Sequence, residues 1–292
     1  MTTTLPENPT AAVHVDQDAH VDQDAHAEQD AQAEWEQWHA ARERELATTH
    51  GWLTPVAYLP LPSQPAAFDG VSGVWWADEH GAHHKRAADE PGAGTTHVVA
   101  EAGSSIVQTF VPEGRTGAEA EVAVELVRRT GRYALRLRDP RAAARAAFTG
   151  VPTFPYDASW VLDAPVRWYD EPRPLVVGAA RPGLVHRTTV VGEVDLERAG
   201  RSVTLQLTGG KGGSAALLFT DEAPGLAPWR VLTVERPSDP GATGSPETVT
   251  VRLDLNRAVN LPFAFSDHGT CPAPVPGNHV PFAVAAGERA PR

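Results

Sequence analysis

Alternation of period two over Glu121–Arg138 is the feature that most restricts what this chain can become. Along RYALRLRD, Tyr133, Leu135 and Leu137 fall on one face, and Arg132, Ala134, Arg136 and Arg138 on the other. Arg129-Thr130-Gly131 interrupts the pattern where a hairpin turn would. Similar short runs recur at Gly73–Ala77, Thr96–Glu101, Ser104–Val111, Trp160–Trp168, Val185–Leu196, Ser202–Leu207, Ala215–Thr220, Trp229–Glu235 and Thr248–Asp254. Turns, not helices, lie between them, and with 25 glycines and 26 prolines the chain is punctuated too often for a helical protein. The expected fold is mainly β: a single antiparallel barrel- or sandwich-like domain over residues 34–290, with an N-terminal helix and one short internal helix at Pro140–Phe148.

The N-terminal helix is expected over Glu34–Leu46, with Trp35 and Trp38 as docking anchors and Gly51 as its stop. Pro55–Pro65 reads as a connector, Asp78–Pro91 as a charged loop, Pro172–Pro182 as a break and Pro237–Pro246 as a loose loop. Thr208–Ser214 is glycine-rich but lacks the order of a phosphate loop and precedes a strand-like run, so it reads as a hairpin connection. Before residue 34 the hexapeptides HVDQDA, HVDQDA and HAEQDA follow one another. Their period matches neither helix nor strand, and residues 1–33 are expected to form a disordered acidic tail.

The net charge of −12 is concentrated in that region. Residues 1–50 hold eleven acids and two arginines, leaving 26 acids against 23 bases for the remainder. A nearly neutral body argues against nucleic acid or anionic membrane as a partner. The single cysteine and the lack of a long apolar run or signal-like start lead to the expectation of a soluble cytoplasmic protein, its oligomeric state open. His14, His20 and His26 in the repeat, and His80, His83 and His84 further on, are incomplete ligand sets; no metal and no cofactor is expected.

Residues 250–288 are the densest in uncommon types. A strand-like run leads into Asp254, Asn256, Arg257 and Asn260, then into an extended cover carrying Pro272, Pro274, Pro276 and Pro281, and last into an apolar strand. The order Leu-Asp-Leu-Asn-Arg-Ala-Val-Asn (253–260), Cys-Pro-Ala-Pro (271–274), Asn278 and Ala-Gly-Glu (286–288) resembles the ending of the DUF1684 family, a domain of unknown function. Leu255, Val259, Leu261 and Phe263 stand where that ending has Phe, Tyr, a first Pro and a first Cys. Looser resemblance extends through residues 38–53, 135–139 and 148–155, so that about residues 35–289 are covered.

No nucleophile elbow, dinucleotide fingerprint, Walker loop, paired-cysteine motif or HExxH helix is present. Cys271 with His268 three residues away is the one nucleophile and base to consider, and Cys271 reads better as a small buried hydrophobe. The expected function is therefore binding of a small molecule, with an anionic group as the natural partner for an arginine, in a pocket near LDLNRAVN. The alternatives are a hydrolase or lyase working through carboxylates, and an interaction module that uses the acidic tail. Arg138, Asp254, Asn256, Arg257, Asn260 and Glu288 are the candidate ligand-binding residues, because LRLRD, LDLNRAVN and AAGE each end an apolar run in charge. They are expected to face one cavity.

Overall fold

The computed structural model describes residues 17–86, 94–236 and 248–291. The loop expected at Pro237–Pro246 and the first sixteen residues of the expected tail, His14 among them, lie outside the described residues. Mainly β architecture with two α-helices is observed, as the alternation required. The described residues form three antiparallel sheets.

The first sheet has the order β1-β8-β7-β6, formed by β1 Pro55–Pro60, β6 Ser104–Phe110, β7 Val122–Arg129 and β8 Arg132–Arg138. A second, β2-β3-β4-β5, consists of Ala66–Ala67, Val74–Asp78, Gly81–Lys85 and Thr95–His97. Trp75, Val124, Leu126 and Leu135, each fully buried, belong to the core that these two sheets share. In the β7–β8 hairpin Leu126 faces Leu135 and Glu125 faces Arg136, while Thr130 (φ 56°) and Gly131 (φ 73°) adopt the left-handed pair that matches strand twist.

The third sheet curls into a half-barrel of seven strands, β14-β9-β10-β11-β12-β13-β15. Its strands are β9 Val161–Gly178, β10 Val185–Arg198, β11 Arg201–Gly209, β12 Ala215–Phe219, β13 Arg230–Val234, β14 Thr248–Asp254 and β15 Val259–Asn260. Val194, Leu205, Leu207, Leu217 and Leu255 form a separate core on its concave side, closed by Val280, Val284 and Ala286 from the C-terminal segment.

Several local expectations are corrected. Pro55–Pro60 is the edge strand β1, paired only with β8, where a missing N–H costs no ladder bond. The expected charged loop holds β4, and its His83 and His84 stack on Trp76 and Trp75 respectively. β9 runs through Pro172 and Pro174; β14 pairs it only as far as Arg167, so among the described residues the proline-bearing half has no ladder partner on that side. The expected final strand is not one. Residues 279–288 make only isolated bridges, at His279 and Glu288, because Pro281 has no donor and side chains replace the ladder. Buried Arg230, paired with Asp221 at 2.7 Å, donates to the carbonyls of Val284, Ala286 and Glu288, and Asp221 Oδ1 accepts from Val284 N at 3.1 Å. Asn278 does the same upstream, bonding Gln206 N, Gln206 O and Leu218 O at 2.9 Å each.

The helix α1 spans Gln17–Leu46 rather than beginning at Glu34, so two of the three hexapeptide copies are helical. Alanine, glutamine and glutamate favour that conformation, and the six-residue period gives them no constant face. Residues 26–30 are accordingly exposed, and among the described side chains burial begins at Trp35. The helix ends where Gly51 approaches: a Cβ there would lie 2.3 Å from the Leu46 carbonyl oxygen. The short internal helix α2, Ala143–Ala146, is as expected but briefer.

The outer face of the first sheet packs on the third sheet's margins. Arg129 Nε donates to Thr270 Oγ1 at 3.0 Å, Thr130 Oγ1 donates to the Val185 carbonyl at 3.0 Å, and His186 Nε2 meets the Thr270 carbonyl.

Candidate functional site

β14 ends at Asp254, and the next three residues form a single 3-10 turn because that carboxylate caps it. Asp254 Oδ1 accepts from Asn256 N and from Asn256 Nδ2, both at 3.0 Å, while Oδ2 accepts from Arg257 Nε at 3.2 Å. Asn256, fully buried, also bonds Asp157 in both directions, accepting from its N at 3.2 Å and donating to its carbonyl at 3.0 Å. An amide side chain thus serves as a strand neighbour for backbone that has none.

Helix α1 lies across this turn. Trp35 Nε1 donates to the Asn256 carbonyl at 2.8 Å, Glu34 holds Arg257 at 2.7 Å, and the Arg257 guanidinium lies 5.4 Å from the Trp38 ring centroid. One turn on, Arg42 donates to Glu288 at 3.2 Å and to the Asn260 carbonyl at 2.8 Å. Between helix and sheet runs an open groove of about 680 Å³. Val161, Leu232 and Val259 supply apolar lining, and Trp38, Tyr156, Arg252, Asp254 and Arg257 supply aromatic and polar groups.

Burial pushes the Tyr156 phenol above its ordinary value, and the Asp254 charge adds to the rise, so Tyr156 stays neutral. Glu288 is 1% exposed, and its carboxyl is also raised by burial, opposed by Arg42 and by the Asn260 N–H that it accepts at 2.6 Å. Arg42 and Arg257 are both paired with carboxylates, whereas Arg252 is exposed and forms no ion pair among the described residues. Cys271 belongs elsewhere: burial pushes its thiol up to about 11, and it shares no hydrogen bond with His268 among the described residues. A neutral thiol without a base is not a nucleophile.

Of the six candidate residues, Asp254 and Arg257 line the groove. Asn256, Asn260 and Glu288 lie behind it, each 1% exposed, with hydrogen bonds to irregular backbone. Arg138 is a correction. It sits in the first sheet, donating to Glu125 at 2.8 Å and to the His50 and Gly51 carbonyls at 2.9 Å, with Trp52 under its guanidinium. Its charge ends a strand as expected, but that strand belongs to a different sheet from β14. Arg42 and Tyr156 escaped sequence reasoning; the signal for Arg42 was its spacing of four from Trp38 on one helix face. Among the described residues no group of three histidine, cysteine or acidic side chains could hold a metal ion.

The geometry so far defines a β half-barrel sealed by an irregular, arginine-tethered C-terminal segment. Residues 146–289 match the family described as protein of unknown function (DUF1684), the family that the C-terminal motifs resemble. The match begins after the first two sheets; of the looser upstream resemblance it includes residues 148–155 but not 38–53 or 135–139. Among solved structures, the chain is similar to the solution NMR structure of an uncharacterised protein from gene locus rrnAC0354 of Haloarcula marismortui. That structure is 25% identical with a TM-score of 0.39, over 50% of this chain and 78% of the other. No curated protein matches. No described helix is long and apolar enough to cross a membrane.

Proposed function

We propose that the chain binds a small molecule with an apolar body and an anionic group in the groove between α1 and the β14–β15 turn. The observation that carries this is the combination of an apolar floor, the Trp38 and Tyr156 rings, and exposed Arg252 within one groove. Its volume falls in the range usual for small-molecule sites. The anionic end would meet Arg252 and the outer side of Arg257, and the body would lie against Trp38. Glu235, also lining the groove, offers an acceptor for a donor group on the same molecule. Catalysis by Asp254 is less well supported, because both its oxygens already accept hydrogen bonds from Asn256 and Arg257.

A thermal-shift screen of the full chain against carboxylated and phosphorylated metabolites tests this reading, since a ligand of the native state raises the midpoint. At least one compound should give a saturable rise that Arg252→Ala and Trp38→Ala each abolish. A screen without a hit, or a hit indifferent to both substitutions, would remove the groove from consideration.

A further inference from the structure

A second cluster of arginines lies where the first sheet meets the third. Arg129, Arg136 and Arg138 are 9%, 1% and 6% exposed, and the one carboxylate buried with them is Glu125. Glu125 accepts from Arg138 at 2.8 Å and from Arg136 at 3.3 Å. Arg138 is otherwise satisfied by backbone carbonyls. Arg136 is not: its second hydrogen bond, to Thr270 Oγ1, is 3.3 Å long, and its Nε is buried without a partner. Arg129 donates to Thr270 and to the carbonyls of Gly103 and Arg128, none of them charged. The nearest other acid, Glu101, is bound to the hairpin N–H groups of Thr130 and Gly131. Buried cations in excess of buried anions are costly unless an anion approaches.

An approach exists. Ala180, Arg181, Pro182, Phe263, Ser266, Asp267 and Gly269 line a cleft of about 530 Å³. Its Gly269 wall is the residue before Thr270, whose hydroxyl accepts from both Arg129 and Arg136. Half-buried Arg181 lies 4.6 Å from the Tyr58 ring centroid, and Tyr58 is the strand neighbour of Arg136. Burial holds the Tyr58 phenol above its ordinary value, and the charges of Arg129, Arg136, Arg181 and Arg132 oppose that rise. Arg181 has only a long contact, 3.5 Å, to the Asp267 carbonyl and no carboxylate partner among the described residues. Asp267 is the one acid lining the cleft.

We infer that this cleft between the sheets is an anion-binding site for a small oxyanion, phosphate or carboxylate, distinct from the α1 groove. Arg181 grips the oxyanion directly, and the buried guanidiniums of Arg129 and Arg136 supply the field that draws it in. The lining comes from segments beside the third sheet, and Arg181 and Ser266 touch β1 of the first sheet through the Tyr58 ring and the Pro55 carbonyl, so occupancy would tighten that junction.

The test titrates inorganic phosphate and, separately, succinate into the full chain at constant ionic strength set with sodium chloride. Thermal midpoint and, for phosphate, 31P line width are the readouts. One of the two anions should raise the midpoint saturably, and which one acts distinguishes a phosphate from a carboxylate ligand. Arg181→Gln should weaken binding about tenfold or more. Asp267→Asn, which removes the local repulsion, should strengthen it about threefold. The control Arg167→Gln, at an arginine paired with Glu193 away from the cleft, should leave it unchanged. A purely structural role would move Arg181→Gln and Asp267→Asn in the same direction and overturn the inference. So would a midpoint that responds to chloride as strongly as to either oxyanion, or one indifferent to all three variants.

Discussion

The groove beneath α1 and the junction between the sheets both hold arginines beside tryptophan, yet they differ in how the charge is balanced. At the groove Arg257 lies between Asp254 and Glu34 and Arg42 reaches Glu288, while Arg252, without an ion pair among the described residues, is exposed. At the junction Arg136 and Arg138 share Glu125 over the Trp52 ring, and Arg129 has only neutral acceptors. Exposure differs too, since Arg257 retains 32% of its side-chain surface and Arg136 only 1%. Paired, half-exposed ions lock a helix onto a sheet at small net gain. Underpaired, buried ones depend strongly on every counter-charge they have.

Removing Glu125 should therefore be the most damaging change. Glu125→Gln is expected to cost about 3–5 kcal/mol in urea unfolding at pH 7, because it leaves three buried guanidiniums without a carboxylate. A cost under about 1 kcal/mol would break the contrast between the two regions. Glu288→Gln should cost less, about 1–3 kcal/mol, since the amide can still accept from Asn260 N.

The same two variants should separate in their pH dependence. Burial raises the Glu125 carboxyl, but Arg136 and Arg138 outweigh it and leave it below the ordinary value. Its stability contribution is present above the unfolded value near 4.3 and fades as pH falls through the depressed folded value. Glu288 is raised, so its contribution is full below about pH 4.3 and is lost as pH rises through the elevated folded value. From neutral pH downward the penalty of Glu125→Gln should shrink, and that of Glu288→Gln should grow. Parallel slopes would show that the two carboxyls share one environment.

Smaller effects sharpen the comparison further. Arg257→Ala, at a half-exposed pair, should lower stability by no more than about 1 kcal/mol while altering any ligand response of the groove. Cys271, held near 11, should react with iodoacetamide at pH 8 roughly a hundredfold more slowly in the native than in the unfolded chain, read by mass spectrometry. Least of all, deleting residues 1–33 should leave the thermal midpoint unchanged, because among the described side chains of α1 the first buried one is Trp35. A clear drop would show that the repeats contribute to docking.

Period-two alternation was enough to give the β7–β8 and β10–β11 hairpins with their turns, because inward and outward side chains differ there. It failed at β1 and the second half of β9, where proline imitates loop composition and an unpaired side makes it harmless, and at β4, an inner strand whose His83 and His84 stack on tryptophans. Asp254 and Arg257 were legible as a pair because one turn brings them together. Arg42 was not, because its partner Glu288 lies 246 residues away.

The sequence by itself determined the β class, the helix anchors at Trp35 and Trp38 and the irregular, proline-braced ending, since each follows from local conformational preference. Tertiary structure alone decided that Arg136 and Arg138, on the face opposite Leu135 and Leu137, would meet Trp52 and Thr270 instead of water. It also decided that residues 284–288 would be held by Arg230 and Asp221 instead of a strand. Alternation says that a residue lies on one face or the other. What covers that face depends on contacts between distant segments, whose geometry no local pattern encodes.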